Sequence, residues 1–144
     1  LHVTARTEYA LRALLALAAA DPAALTSAVL AETQQLPLTF LQAILTELRR
    51  ADLVLLKRGP ERGYRLAKPA AEITVGAVIR VLDGAPAEAR AEPPEGEAYD
   101  LVRSLRRVWK AADTALLDVI DAVSLADLLE DSLPPHVRAL ITRE

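Results

Sequence analysis

The sequence predicts a mainly α-helical chain with one small β-hairpin. Three observations predict it. Apolar residues recur at spacings of three and four through most of the 144 residues. A Gly-Pro-x-x-Gly turn at 59–63 separates two short strand-like runs. A single apolar seam, Val102, Leu105, Trp109, Ala112, Leu116, Val119 and Val123, alternates steps of three and four without a break. The composition, 52% hydrophobic and 26% charged, fits a globular chain; aromatics are only 3%, so the core must rest on Ala, Leu and Val.

Residues 4–20 read as a helix capped by Thr4, with Leu11, Leu14, Leu15 and Ala18 on its inner face. Asp21-Pro22 ends it, because a residue before proline is pushed out of helical geometry. A short helix over 27–34 follows, capped by Thr26 or Ser27, with Val29, Leu30 and Thr33 inside. After Leu36-Pro37-Leu38, a third helix over 39–51 buries Phe40, Leu41, Ile44, Leu45 and Leu48. Leu53–Arg58 and Tyr64–Leu66 are the strands, joined by Gly59-Pro60-Glu61-Arg62-Gly63. Residues 73–83 form a helix with Ile73, Ala77, Val78, Val81 and Leu82 inside and Gly84 closing it. Residues 85–98 hold three of the nine prolines and no large apolar residue, which reads as an exposed loop. The seam lies on a long helix over 99–123, flanked by Leu101, Val108, Leu117 and Ile120. One stripe can pack on the chain's own domain and the other on a partner chain. Ser124 and Asp127 form a capping box for a helix over 125–131, and a last amphipathic stretch carries Val137, Leu140 and Ile141.

Two helices joined by a short turn and followed at once by a basic hairpin have the layout of a winged helix-turn-helix. The expected organisation is a winged-helix unit at 1–84, a loop at 85–98, and a dimerisation helix with C-terminal helices at 99–144. The net charge of −3 conceals an asymmetry: residues 1–70 carry nine Lys/Arg against six Asp/Glu, and residues 71–144 carry eight against fourteen. The basic excess concentrates in 49–68, a footprint suited to a polyanion.

In such a layout the third helix enters the major groove and the wing meets the phosphate backbone of double-stranded DNA. Thr39, Phe40 and Gln42 open that helix. Gln42 suits adenine and Phe40 a thymine methyl, although Phe40 serves equally well as core. Arg49 and Arg50 meet phosphate or complement the helix C-terminus. Lys57, Arg58, Arg62 and Tyr64 are the wing candidates. Thr4, Arg6 and Thr7, with Thr26 and Ser27, stand at helix N-termini whose amides can bind phosphate. Val102, Leu105, Trp109, Ala112, Leu116, Val119 and Val123 are the dimer-interface candidates, with Trp109 as the anchor or else the wall of a ligand pocket.

The chain contains no cysteine, which rules out disulfides, Cys-ligated zinc and Cys-ligated iron–sulfur clusters. His2 and His136 are isolated, and no GxSxG, P-loop or HExxH pattern occurs, so neither catalysis nor a metal site is expected. No apolar run reaches membrane-spanning length, and Arg6, Glu8 and Arg12 interrupt the first twenty residues; a soluble, cytoplasmic protein without a cofactor is the expectation.

The runs Thr4-Ala5-Arg6-Thr7-Glu8-Tyr9-Ala10-Leu11-Arg12-Ala13-Leu14, Pro37-Leu38-Thr39-Phe40-Leu41, Arg58-Gly59-Pro60-Glu61-Arg62-Gly63-Tyr64-Arg65-Leu66 and Ile73-Thr74-Val75 together resemble the IscR/NsrR/CymR family of bacterial regulators. The resemblance extends through the long helix. It implies a homodimer that reads a palindromic operator as a transcription regulator, most simply a repressor. Two departures stand out. Many members hold an iron–sulfur cluster with three cysteines in the loop before the dimerisation helix, and residues 85–98 have none; Glu8 matches a carboxylate ligand position of some members, but without thiolates it makes no site. The family wing reads Gly-Pro-Gly-Gly-Gly, and here Glu61 and Arg62 replace two glycines, one opposing a phosphate and the other inviting it. A winged-helix adaptor without a DNA target is the alternative function. A regulator gated by an unidentified small-molecule effector is a third reading.

Overall fold

The computed structural model describes residues 1–86 and 96–142, with only the backbone at 97–99. The order is α1 (Ala5–Ala20), α2 (Ser27–Gln34), α3 (Leu38–Arg50), β1 (Val54–Lys57), β2 (Gly63–Leu66), a 3-10 turn (Ala70–Glu72), α4 (Val75–Asp83), α5 (Glu97–Ile120), α6 (Leu125–Leu129) and α7 (Pro135–Ile141). Mainly α with one hairpin is therefore the architecture. Residues 87–95 of the expected loop lie outside the described residues.

Hydroxyl caps start four of the helices. Thr4, Thr26, Thr74 and Ser124 each accept a backbone N–H from three residues ahead, and Ser124 with Asp127 completes the capping box. Thr74 starts α4 two residues later than the apolar pattern suggests. Ile73 instead lies in extended backbone, fully buried, with its carbonyl accepting Leu125 N–H at 2.9 Å. Val75 N–H donates to the Val123 carbonyl at 2.9 Å, and Thr74 and Ser124 form an antiparallel bridge. These bonds stitch the chain after α5 onto the start of α4, and Leu125 joins the core built by residues 10–82.

The core is almost wholly aliphatic: Leu14, Leu17, Leu30, Leu41, Ile44, Leu45, Leu48, Ile73, Val78 and Leu125 are its largest fully buried side chains apart from Thr7. The inner faces of the short helices differ from the expected ones. In α1 the buried set is Thr7, Ala10, Ala13, Leu14 and Leu17, while Leu11, Leu15 and Ala18 are half-buried at its edges. The small residues face inward because helices α3, α4 and α6 all crowd α1, and close approach favours Ala over Leu. In α2, Val29 and Thr33 are exposed, with the Thr33 hydroxyl donating back to the Val29 carbonyl at 2.7 Å; Leu30 and Ala31 take the inner positions.

The hairpin is antiparallel with Val54 opposite Leu66, Leu55 opposite Arg65, Leu56 opposite Tyr64 and Lys57 opposite Gly63. Leu25 adds a one-residue third strand, its backbone exchanging hydrogen bonds of 3.0 and 2.7 Å with Tyr64. The hairpin is thus fastened to the segment that leads into α2. That approach explains Gly63: a Cβ there, at φ +145°, would lie 2.7 Å from the Leu25 carbonyl carbon.

Candidate nucleic-acid interface

Helix α3 has two unlike faces. Leu41, Ile44, Leu45 and Leu48 are buried. Thr39, Gln42, Ala43, Thr46, Arg49 and Arg50, at spacings of three and four, are all exposed and form one outward stripe. Thr39, Gln42, Arg49 and Arg50 are thus brought together as the sequence suggests. Ala43 and Thr46 were missed, although the same periodicity places them between the others. The Thr46 hydroxyl donates to the Gln42 carbonyl at 2.8 Å, as a helical threonine does in the absence of another partner. Phe40 departs from the stripe. It is half-buried against the core, edge-on to Tyr9 with ring centroids 6.0 Å apart, so part of its ring serves packing.

The hairpin tip is a tight turn in which Arg62 N–H donates to the Gly59 carbonyl at 3.1 Å, with Gly59 at φ +97°. Arg58 and Arg62 are exposed and have no ion-pair partner among the described residues. Lys57 is engaged: its ammonium lies 3.1 Å from Glu61. Between this hairpin and the start of α2 lies an open cleft of about 570 Å³. Thr26, Ser27, Lys57, Arg58, Arg62 and Tyr64, six of the candidates from distant parts of the sequence, line it together. Thr26 uses its hydroxyl to cap Val29 N–H at 3.2 Å, and the first amides of α2 lie beside the cationic wing.

The start of α1 is different. Thr7 is fully buried and its hydroxyl donates to Asp83 at 2.7 Å; the Thr4 hydroxyl donates to the same carboxylate, also at 2.7 Å. Asp83, at the end of α4, already occupies this helix N-terminus, so Thr7 is withdrawn from any outside phosphate. Burial pushes the Asp83 carboxyl up. The hydrogen bonds from Thr7 and Thr4 and the nearby Arg6 charge outweigh that and hold it below the usual carboxylate range. Arg6 is itself ion-paired with Glu47 of α3. No sequence signal links Asp83 to residues nearly eighty positions away.

Helix α5 runs 24 residues, about 36 Å at 1.5 Å per residue. Its C-terminal end is held by its own chain: Ile120 is buried, Leu116, Leu117 and Val119 are half-buried, and Asp121 takes both guanidinium nitrogens of Arg80 at 2.6 and 2.9 Å. Its N-terminal two-thirds is not so covered. Leu101 is 85% exposed, Leu105 50%, Val108 56% and Trp109 42%, Ala112 is exposed, and Val102 is half-buried. The predicted seam must be shortened at one end. The helix stops at Ile120, and Val123 sits in the following turn, 5% exposed and inside the chain's own core; it belongs to no external stripe.

Among the described residues no group of three or more His, Cys, Asp or Glu is placed to hold a metal ion, and no helix is long and apolar enough to cross a membrane.

A three-helix unit with an outward polar stripe on its third helix, a cationic hairpin behind it and a long, half-uncovered helix defines a winged helix-turn-helix of the transcription-regulator type. The chain belongs to the Rrf2 family, described as iron-dependent transcriptional regulators, whose pattern matches residues 3–131. It is 37% identical over 142 residues to Rv1287 of Mycobacterium tuberculosis H37Rv, which carries the name of an HTH-type transcriptional regulator; the match spans 97% of this chain and 88% of that one. It is 29% identical over 133 residues to the HTH-type transcriptional regulator IscR of Aliivibrio salmonicida, spanning 92% and 79%. Among solved structures, the cysteine regulator CymR of Bacillus subtilis superposes with a TM-score of 0.77 at 28% identity, over 90% of this chain and 97% of that one. IscR of T. potens superposes at 0.72 and 29%, over 92% and 88%. These relatives are regulators rather than enzymes.

The family description speaks of iron, and the donor set here does not fit a thiolate-held iron–sulfur cluster. The chain has no cysteine, and Glu8, which the resemblance sets against a carboxylate ligand of some members, is ion-paired with Arg12 at 3.4 Å.

Proposed function

We propose that this chain is a sequence-specific, cluster-free transcription repressor that binds a palindromic operator as a homodimer. The observation that carries the reading is the outward stripe of α3, Thr39-Gln42-Ala43-Thr46-Arg49-Arg50, followed directly by a hairpin whose two tip arginines have no ion-pair partner among the described residues. In this reading Gln42 and Ala43 address base edges, since an amide pairs with adenine and a methyl packs on thymine. Arg49 and Arg50 contact phosphate beyond the groove. Arg58 and Arg62 hold the flanking backbone from the wing, with the amides of α2 beside them. The two copies meet through Leu101, Leu105, Val108, Trp109 and Ala112, whose exposure on a single chain is costly in water. A two-fold dimer then sets its recognition helices about one DNA turn, ~34 Å, or a multiple of it apart. The reading leaves the protein acting in the cytoplasm, where its DNA is.

Selection of genomic fragments on the purified protein, followed by anisotropy titration of the recovered sequence, tests this. The expected result is a palindromic site whose affinity falls steeply with salt, because each neutralised phosphate releases counterions. Recovery of no common sequence, with binding insensitive to salt, contradicts it. Arg58→Ala with Arg62→Ala should lower the salt slope by about two, near 0.9 for each phosphate that is no longer neutralised.

A further inference from the structure

The wing tip carries three cations and one carboxylate between Lys57 and Arg62, and they are not equivalent. Arg58 and Arg62 have no ion-pair partner among the described residues, whereas the Lys57 ammonium is 3.1 Å from the Glu61 carboxylate. The pair spans the turn: Lys57 is the last residue of β1, and the Gly59–Arg62 hydrogen bond folds Glu61 back toward it. Lys57 is part-covered in the cleft beside α2, while the Glu61 side chain is 83% exposed. Burial therefore places no constraint on Glu61. Its carboxylate is also next in sequence to Arg62, one of the two arginines left open to an incoming phosphate.

We propose that Glu61 is an internal competitor for phosphate: it holds Lys57 in the uncomplexed protein and must be displaced before Lys57 meets a DNA backbone. The inference rests on the DNA-binding reading above and goes beyond it by assigning a residue that limits affinity. Two effects act in the same direction. The Lys57–Glu61 pair is broken on binding, and the carboxylate repels the phosphate row that Arg58 and Arg62 address. An exposed pair is weak, on the order of 1 kcal/mol or less, and a change of 1.4 kcal/mol is tenfold in affinity. Removing the charge should therefore tighten binding about two- to fivefold. Lys57 meets phosphate in both complexes, so the number of neutralised phosphates, and with it the salt slope, is the same with and without Glu61.

The test uses the full chain and a short fluorescent duplex of mixed sequence, titrated between about 50 and 200 mM salt. Wild type, Glu61→Gln, Lys57→Gln and the double variant are compared. The expected result is tighter binding by Glu61→Gln at each salt concentration, with the log–log salt slope unchanged. In the Lys57→Gln background the same change should tighten binding by less and leave the slope unaltered. If wild type binds and Glu61→Gln matches it in affinity, Glu61 is a bystander and this proposal alone falls. If Glu61→Gln gains equally with and without Lys57, the carboxylate acts only as a repelling charge and the competitor role is overturned. If neither wild type nor Glu61→Gln binds any duplex, the DNA reading itself fails, and the proposal with it.

Discussion

At the scale of single residues, the fold depends on a few side chains whose partners are remote in sequence. Asp83 closes the N-terminus of α1 through Thr4 and Thr7. Asp121 is held below the usual carboxylate range by the hydrogen bond from Arg80, opposed by desolvation and aided by the guanidinium charge. For both carboxyls the folded pKa lies below the unfolded one. Their contribution is therefore fully present above the unfolded value, near pH 4, and is lost as the pH falls through the folded value. Both are solvent-accessible, so each contribution is small, on the order of 1 kcal/mol or less after screening. Thermal unfolding followed from pH 6 to pH 3 should show the wild type losing its advantage over Asp83→Asn and Asp121→Asn as the pH drops below about 4. A gap that stays constant with pH would mean that neither carboxylate contributes by its charge. Gly63 is a second such residue. Gly63→Ala places a methyl against the Leu25 backbone at a φ that side chains rarely adopt, with an expected cost of about 1–3 kcal/mol in denaturant unfolding.

Among elements, the junction of α4 with the end of α5 is a close approach that depends on a missing side chain. A Cβ on Gly76 would lie 1.9 Å from the Asp121 carboxylate and 2.8 Å from the Arg80 guanidinium, so the glycine leaves room for the ion pair to cross α4. Gly76→Ala should gain helix propensity, about 1 kcal/mol at most, and lose the pair. A double-mutant cycle separates the two. Asp121→Asn, destabilising in the wild type, should cost nothing further in the Gly76→Ala background; an equal cost in both would show that the pair survives the methyl. The same junction shows where sequence patterning reaches and where it stops. The long helix, the hairpin, the α3 stripe and the Ser124–Asp127 capping box were legible because each is set by neighbours within a few residues. The inner face of α1 was not. Leu14 is inside as its pattern suggests, but Leu11 and Leu15 advertise burial more strongly than Ala10 and Ala13, and where α3, α4 and α6 crowd α1 the two alanines lie inside beside Leu14 and Leu17. The end of α5 was misplaced for a related reason. Val123 continues the apolar rhythm, yet it serves the turn that returns the chain to α4. Phe40 likewise stands at the start of α3 beside the outward residues, and its ring meets Tyr9, about thirty residues earlier, a contact with no local signature. The cleft shared by α2 and the wing was legible only as two separate sets of residues; the Leu25–Tyr64 bridge that joins them has no local signature.

The whole molecule is polarised. One part presents α3 and the hairpin, with the basic residues of 49–68; another presents the uncovered stretch of a long helix in an otherwise acidic half of the sequence. A lone chain would leave Leu101, Leu105, Val108 and Trp109 facing water, and a second copy is the cover that the proposed operator symmetry requires. Replacing Leu105 by Asp should separate the copies and weaken binding to a two-half-site duplex far more than to a single half-site, since only the former uses both copies at once. The most direct measurement is sedimentation equilibrium of the 15.5 kDa chain at micromolar concentration, alone and with duplex DNA. The account predicts a species of twice the chain mass that Leu105→Asp converts to single chains. A wild-type protein that remains a single chain, with and without DNA, would contradict it.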